Sequence, residues 1–210
     1  MRRHWFFLVM LVLAMSLPLQ ACVFAAAPPM YSAKEIRGQI LSADTGEPIE
    51  GAVIVAQWIL FVGGIGHGGH NQVLHIAEVV TDKNGNYVIS GWGPKLRPPL
   101  TELDHYDPQL LVFKRGYKHQ TLFNQIDRDS STRVSDWDGK TIRLEKFSGT
   151  AEERLDDLEF ALQDSGAGDE KVSQIFIEML KEESTYPSWP VGAKPFFDHI
   201  RRLSVKRAPK

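Results

Sequence analysis

From Glu35 to Leu144 the chain is a succession of short β-prone runs separated by turn residues, and this rhythm narrows the fold more than any other feature. Ile36, Gly38 and Ile40 alternate with Arg37 and Gln39, the two-residue period of a half-buried strand. Asp44, Thr45 and Gly46 supply a turn, and Pro48 ends pairing on its far side. Ala52 to Trp58 is a continuous apolar stretch of strand length. Val73 to Thr81 is β-branched and runs into the tight-turn signal Asp82-Lys83-Asn84-Gly85, after which Tyr87 to Ser90 resumes the strand pattern. Leu110 to Lys114 and Lys140 to Leu144 are two further strands. About seven short strands with turns between them predict a mainly β chain, folded as an antiparallel sandwich or barrel. The 43% hydrophobic content suffices for a buried core, and a single cysteine excludes a disulfide scaffold.

After residue 146 the period becomes helical, so residues 147–210 are expected as a C-terminal α-helical appendage. Thr150 followed by Glu153 is a capping-box signature, and Leu155, Leu158 and Leu162 recur on one face with Ala161. Gly166 and Gly168 end that helix. Val172, Ile175, Phe176, Met179 and Leu180 form the apolar stripe of a second, and Phe196 to Leu203 reads as a short third. Helices of this size do not bury such stripes alone. Docking on the sandwich is the simpler expectation, and an envelope protein partner held through the helical region is the alternative.

The amino-terminal stretch reads as an address. Arg2 and Arg3 precede an unbroken apolar run from Trp5 to Met15, the basic start and apolar segment of a signal peptide over residues 1–21. The run is shorter than the roughly 20 residues a spanning helix needs. Leu19-Gln20-Ala21-Cys22 resembles the lipobox of bacterial lipoproteins, and the sole cysteine of the chain stands at its required place. That resemblance implies cleavage before Cys22, a diacylglycerol thioether on its sulfur and acylation, such as palmitate, of the new amino terminus. Val23 stands where an aspartate would favour inner-membrane retention, which points to an outer-membrane lipoprotein facing the periplasm. Two alternatives remain. Cleavage after Ala25-Ala26-Ala27 gives a soluble periplasmic or secreted protein, and an uncleaved anchor fits the absence of charge between Arg3 and Lys34. Residues 22–34, with Pro28 and Pro29 adjacent, read as a tether. The formal charge is −2, and loss of Arg2 and Arg3 with the leader makes it −4, so no nucleic acid partner is expected.

Three blocks occur in order across residues 35–146: Ile36-x-Gly38-x-Ile40; Asp44-x-Gly46-x-Pro48-Ile49-x-Gly51-Ala52; and Thr81-Asp82-x-x-Gly85-x-Tyr87. Together with Gly116-Tyr117 after Phe113, this resembles the carboxypeptidase regulatory-like domain, a transthyretin-like β-sandwich. The resemblance implies structural roles: glycines for turns, Pro48 at an edge, Ala52 for close packing between sheets, Asp82 capping its turn. It also implies a noncatalytic accessory module, with no enzyme activity and no cofactor.

Two segments depart from that pattern, and loops on a rigid scaffold are where function concentrates. Ile59 to Asn71 holds five glycines with His67 and His70, and Gly91 to Gln109 is a Pro-rich insertion. His67, His70 and His105 are candidate metal ligands through imidazole nitrogen, set against their being merely solvated. Trp92, Asp104 and Tyr106 are candidate ligand-binding residues, because a carboxylate orients a neighbour and an exposed ring stacks on a sugar or peptide. No nucleophile elbow, phosphate loop or HExxH helix occurs. The functional expectation is therefore a lipid-anchored envelope protein with a binding or structural sandwich. The alternative is a periplasmic metal- or small-ligand-binding protein using the Gly/His loop 63–71 and the insertion 91–109.

Overall fold

The turn at Asp82 to Gly85 shows how local chemistry sets the strand ends. The Asp82 carboxylate accepts the N–H groups of Asn84 and Asn86 at 2.8 and 2.9 Å. Gly85 takes φ 73°, and a Cβ there would lie 2.4 Å from the carbonyl oxygen of Ile40, so only glycine fits. The computed structural model describes residues 28–62, 70–125, 130–166 and 172–205. Among them the strands are β1 (Met30–Ala33), β2 (Ile36–Ser42), β3 (Val53–Val62), β4 (His70–Val80), β5 (Asn86–Ile89), β6 (Trp92–Leu96), β7 (Thr101–Leu103), β8 (Gln109–Phe113), β9 (Gln120–Leu122), β10 (Thr132–Arg133) and β11 (Lys140–Leu144). The helices are α1 (Ala151–Asp164), α2 (Gln174–Glu182) and α3 (Ala193–Val205). The protein is mainly β, a sandwich-like stack of mostly antiparallel sheets with a C-terminal helical appendage.

The largest sheet has the order β4-β3-β8-β9, with β7 pairing the outer end of β3. A second sheet, β11-β2-β5, faces it, and a third, β10-β1-β6, closes one end. Two pairings, β1 with β10 and β11 with β2, are parallel. Ile54, Ala56, Trp58 and Leu60 of β3 meet Ile40, Ile89 and Ile142 in the sandwich interior. The opposite face of the same sheet, with Val53, Val55, Leu111 and Phe113, is covered by Leu158, Phe176, Met179 and Phe197 of the helices. The helices therefore dock on the sandwich. None among the described residues is long and apolar enough to cross a membrane.

The strands exceed the seven or so expected, because the added ones are short and lie where turn residues mask the period. The tether expected over residues 22–34 ends earlier: Met30–Ala33 is strand β1, and Tyr31 is buried. Its hydroxyl accepts the N–H of Leu103 at 3.4 Å, and the Arg133 guanidinium lies 5.5 Å from its ring centre. The Pro-rich insertion contains β6 and β7. Pro94 is tolerated because β6 is an edge strand, where a missing N–H costs no ladder bond. The Gly/His segment is partly strand as well, since β3 and β4 stay paired out to Val62 opposite His70. Residues 63–69, with His67, and residues 1–27, with Cys22, lie outside the described residues.

Helix ends are fixed by hydrogen bonds to the sheet. Thr150 and Glu153 form the expected capping box at α1. Ser173 caps α2 with no side-chain bond; instead the Glu78 carboxylate of β4 accepts the N–H groups of Ser173, Gln174 and Ile175 at 2.9, 2.8 and 2.9 Å. A carboxylate at this end satisfies orphan donors and complements the helix dipole. Between α1, α2 and the turn after β8, buried Arg154 donates to the Tyr117 carbonyl, to Asp157 and to Glu182, and Glu182 also accepts the N–H of Gly116 at 2.7 Å. Gly166, at φ 66°, closes the end of α1 against Gln57, where a Cβ would lie 2.7 Å from the amide oxygen. Glu78→Ala leaves three N–H groups at the start of α2 without their acceptor. It is expected to lower stability by about 1–2 kcal/mol in urea denaturation and to raise amide exchange first at the start of α2.

Candidate functional site

The β3–β4 ladder slips by one residue between Trp58 and Ile59, and a group of buried polar side chains gathers beside that bulge. Ile59 pairs with Val73 on its β4 side, but on the other it falls in the gap between β8, which ends opposite Gln57, and β7, which begins opposite Leu60, and the turn after β7 fills that gap. Asp104 N–H donates to the Ile59 carbonyl at 2.9 Å, and the Asp107 carboxyl accepts the Ile59 N–H. Asn124, itself buried, donates to the carbonyls of Asp107 at 2.7 Å and Val134 at 2.9 Å and accepts the N–H of Asp136 at 2.8 Å. Three loops are thus tied to one bulge.

Asp107 is only 2% exposed. Burial pushes its carboxyl up to about 8, with the charge of Asp104 adding to the rise; the Ile59 N–H and the Arg133 guanidinium pull the other way. Arg133 is 1% exposed. It donates from Nη2 to the Leu103 carbonyl at 2.9 Å, while its Nε and Nη1 find no acceptor among the described residues. The buried Arg133 charge is met by the Leu103 carbonyl, by the Asp107 carboxyl whose rise it opposes and by the face of Tyr31.

On the other side of the bulge, Trp58 sits opposite His75 in register. The rings of Trp58, His75 and Trp92 gather with centres 4.9 to 5.4 Å apart. Lys95 Nζ lies 2.8 Å from His75 Nδ1 and 5.3 Å from the centre of the Trp92 ring. An ammonium group only donates, so this contact makes His75 Nδ1 the acceptor. The indole N–H groups of Trp58 and Trp92 are buried without a partner among the described residues. Chemically this is a cation-aromatic corner, suited to holding strands and rings together.

The residues expected from the sequence are scattered around it. Trp92 is half-buried and belongs to the corner. Asp104 caps its own turn by accepting the N–H of Tyr106 at 2.8 Å, and Tyr106 is exposed. His105 pairs with Glu102 at 3.0 Å near the surface. His70 begins β4, and His67 is outside the described residues. Among the described residues, no three His, Cys, Asp or Glu side chains are placed to hold a metal. Trp58, His75, Lys95, Tyr31 and Arg133 were not singled out for a site by the sequence; the signal that finds two of them is the register pairing Trp58 with His75. At the opposite end of β3 lies an open depression of about 260 Å³, lined by Thr45, Glu47, Glu50, Lys114, Tyr117 and Lys146.

The Asp107 carboxyl has a folded-state value above the unfolded one, near 3.9, so the folded state favours its proton. Its contribution to stability is whole below about pH 4 and is lost as pH rises through about 8. Asp107→Asn keeps an oxygen for the Ile59 N–H and removes the titration. Urea denaturation at several pH values is expected to show the parent losing stability relative to this variant by up to about 1.4 kcal/mol per pH unit between pH 4 and 8. Parallel curves would refute the assignment.

No protein family matches the chain, and no curated protein matches it. Among solved structures, a Streptococcal ancillary pilin aligns at 13% identity with a TM-score of 0.28, over 58% of this chain and 30% of that one. A 9R-lipoxygenase from Cyanothece PCC8801 aligns at 17% identity with a TM-score of 0.31, over 84% of this chain and 22% of that one. The aligned part is less than a third of either structure, and likenesses this slight carry no conclusion about fold or activity.

Proposed function

We propose that the chain is a lipid-anchored outer-membrane protein whose β-sandwich, a carboxypeptidase regulatory-like module, makes noncatalytic protein or ligand contacts in the periplasm. The observation that carries this reading is the spacing between Cys22 and the fold. Strand β1 starts at Met30, and Tyr31 is already in the core, so only seven residues separate the proposed acylation site from packed structure. An extended chain reaches about 3.3–3.6 Å per residue, so a lipid on Cys22 would hold this end of the sandwich within about 30 Å of the bilayer. The depression beside Lys114 and Tyr117 lies at the other end of β3, away from the anchor. The module assignment is supported by residues in the roles that resemblance implies: Asp82 and Gly85 in their turn, Ala52 fully buried between the sheets, and Pro48 in an isolated bridge with Leu41.

Labelling of producing bacteria with a radioactive fatty acid tests the anchor. The parent chain is expected to incorporate label and Cys22→Ser to incorporate none; an unlabelled parent, or label that survives the substitution, would refute acylation at Cys22. Crosslinking in intact envelopes, compared with the Cys22→Ser form, tests the module. A discrete protein adduct formed by the anchored chain and lost in the soluble one is expected.

A further inference from the structure

Where the chain enters the fold, large apolar side chains face water. Met30 and Leu96 stand opposite each other in the β1–β6 pair and are 45% and 76% exposed. The Pro29 carbonyl accepts the N–H of Arg97 at 3.0 Å, so the entering segment runs directly alongside the loop that follows β6. That loop carries Leu100, 55% exposed and held at φ 60°, in the sparsely populated left-handed region for a leucine. The loop is braced: Arg97 Nη1 donates to the Thr101 carbonyl at 2.7 Å, and the Thr101 hydroxyl donates to the Pro98 carbonyl at 2.7 Å. Beyond it, Thr101 and Glu102 pair with Val62 and Phe61, and Phe61 is 54% exposed.

We infer that this corner, Met30, Leu96 and Leu100 with Phe61 at its border, rests on the lipid surface to which Cys22 is anchored. The inference depends on the lipoprotein reading and adds an orientation to it. Three observations identify lipid as the occupant. With five residues between them, Cys22 and Pro28 can be only about 20 Å apart, so the corner is the part of the body nearest any lipid on Cys22. Single exposed apolar side chains are ordinary, but a cluster at the entry point of an anchored chain is not. The rim is mixed in sign, with Arg97 beside the Glu102–His105 pair, so apolar contact must supply the attraction rather than charge.

Acylation consumes the sole cysteine, so Leu96→Cys in the full chain gives the lipidated protein one free thiol for an environment-sensitive fluorophore. Thr45→Cys, exposed in the turn at the far end, is the control. Each protein, extracted after processing and reconstituted in phosphatidylethanolamine–phosphatidylglycerol vesicles, is first tested by flotation. Both are expected to float. The probe at 96 is expected to emit at shorter wavelength and to lose emission when nitroxide-labelled lipids are included, while the probe at 45 keeps a water-like spectrum and is not quenched. Flotation with equal behaviour at the two positions overturns the orientation while leaving the anchor intact. Failure to float overturns the anchor and the orientation together.

Discussion

Strand β3 carries apolar side chains on both faces for most of its length, so neither side can be left to water. Ile54, Ala56, Trp58 and Leu60 fill the sandwich interior, and Val53 and Val55 lie in the core shared with the helices. Strand β8 repeats the arrangement, with Leu110 and Val112 inward and Leu111 and Phe113 toward the helices. An antiparallel sheet commonly keeps one face wet; a central sheet with continuous apolar strands has to be covered twice. The second sheet covers one face and α1, α2 and α3 the other. Each fully buried Val, Leu, Ile or Phe contributes roughly 1.5–3 kcal/mol, so the helical cover is a large part of what holds the sheet together. The Glu78 cap and the Arg154–Glu182 contacts fix where the cover sits, at positions where an unmet polar group would be costly.

Much of this was legible in the sequence. Six strands, β2, β3, β4, β5, β8 and β11, and the order of three helices follow from periodicity and turn chemistry, because a strong local preference there agrees with the final packing. What was not legible has a common cause. Strand β1 is four residues long and follows two prolines, β6 contains Gly93 and Pro94, and β10 is two residues long. A two-residue period needs more length than that to be seen. These strands exist because Tyr31, Trp92 and Arg133 are held by distant groups, which no local pattern encodes. The end of the tether was misplaced for the same reason: Tyr31 looks unremarkable until Leu103 and Arg133 surround it.

The candidate site was less legible than the fold. Trp92 was found because a tryptophan in a Pro-rich insertion stands out, but its neighbours come from β3, β4 and β6. Trp58 and His75 are 17 positions apart in sequence and meet only through the hairpin register, bulge included. Asp104 and Tyr106 looked like a polar cluster and turn out to serve a turn, the ordinary use of an aspartate two residues before a backbone donor. Asp107 differs from Asp104 by three positions and by almost complete burial, and only the tertiary structure separates the two roles.

Strand β3 also relates the two ends of the molecule, pairing β8 at one and β7 at the other. The extra residue of the bulge is Leu74 of β4, so the alternation of β3 itself runs unchanged from Ile54 to Leu60. On its other edge β3 changes partner, from β8 opposite Val53 to Gln57 to β7 opposite Leu60 to Val62. The β6–β7 loop, with Leu96 and Leu100 at its ends, lies beside the point where the chain enters the fold, the Arg97 N–H donating to the Pro29 carbonyl. Arg133 donates to the carbonyl of Leu103 at the end of β7, and Asp107 in the turn beyond accepts the Ile59 N–H, so buried polar bonds hold the strand that leaves this corner. In the proposed orientation, the end of the protein that meets the bilayer is therefore braced by buried polar bonds, while the open depression at the other end remains available to the periplasm.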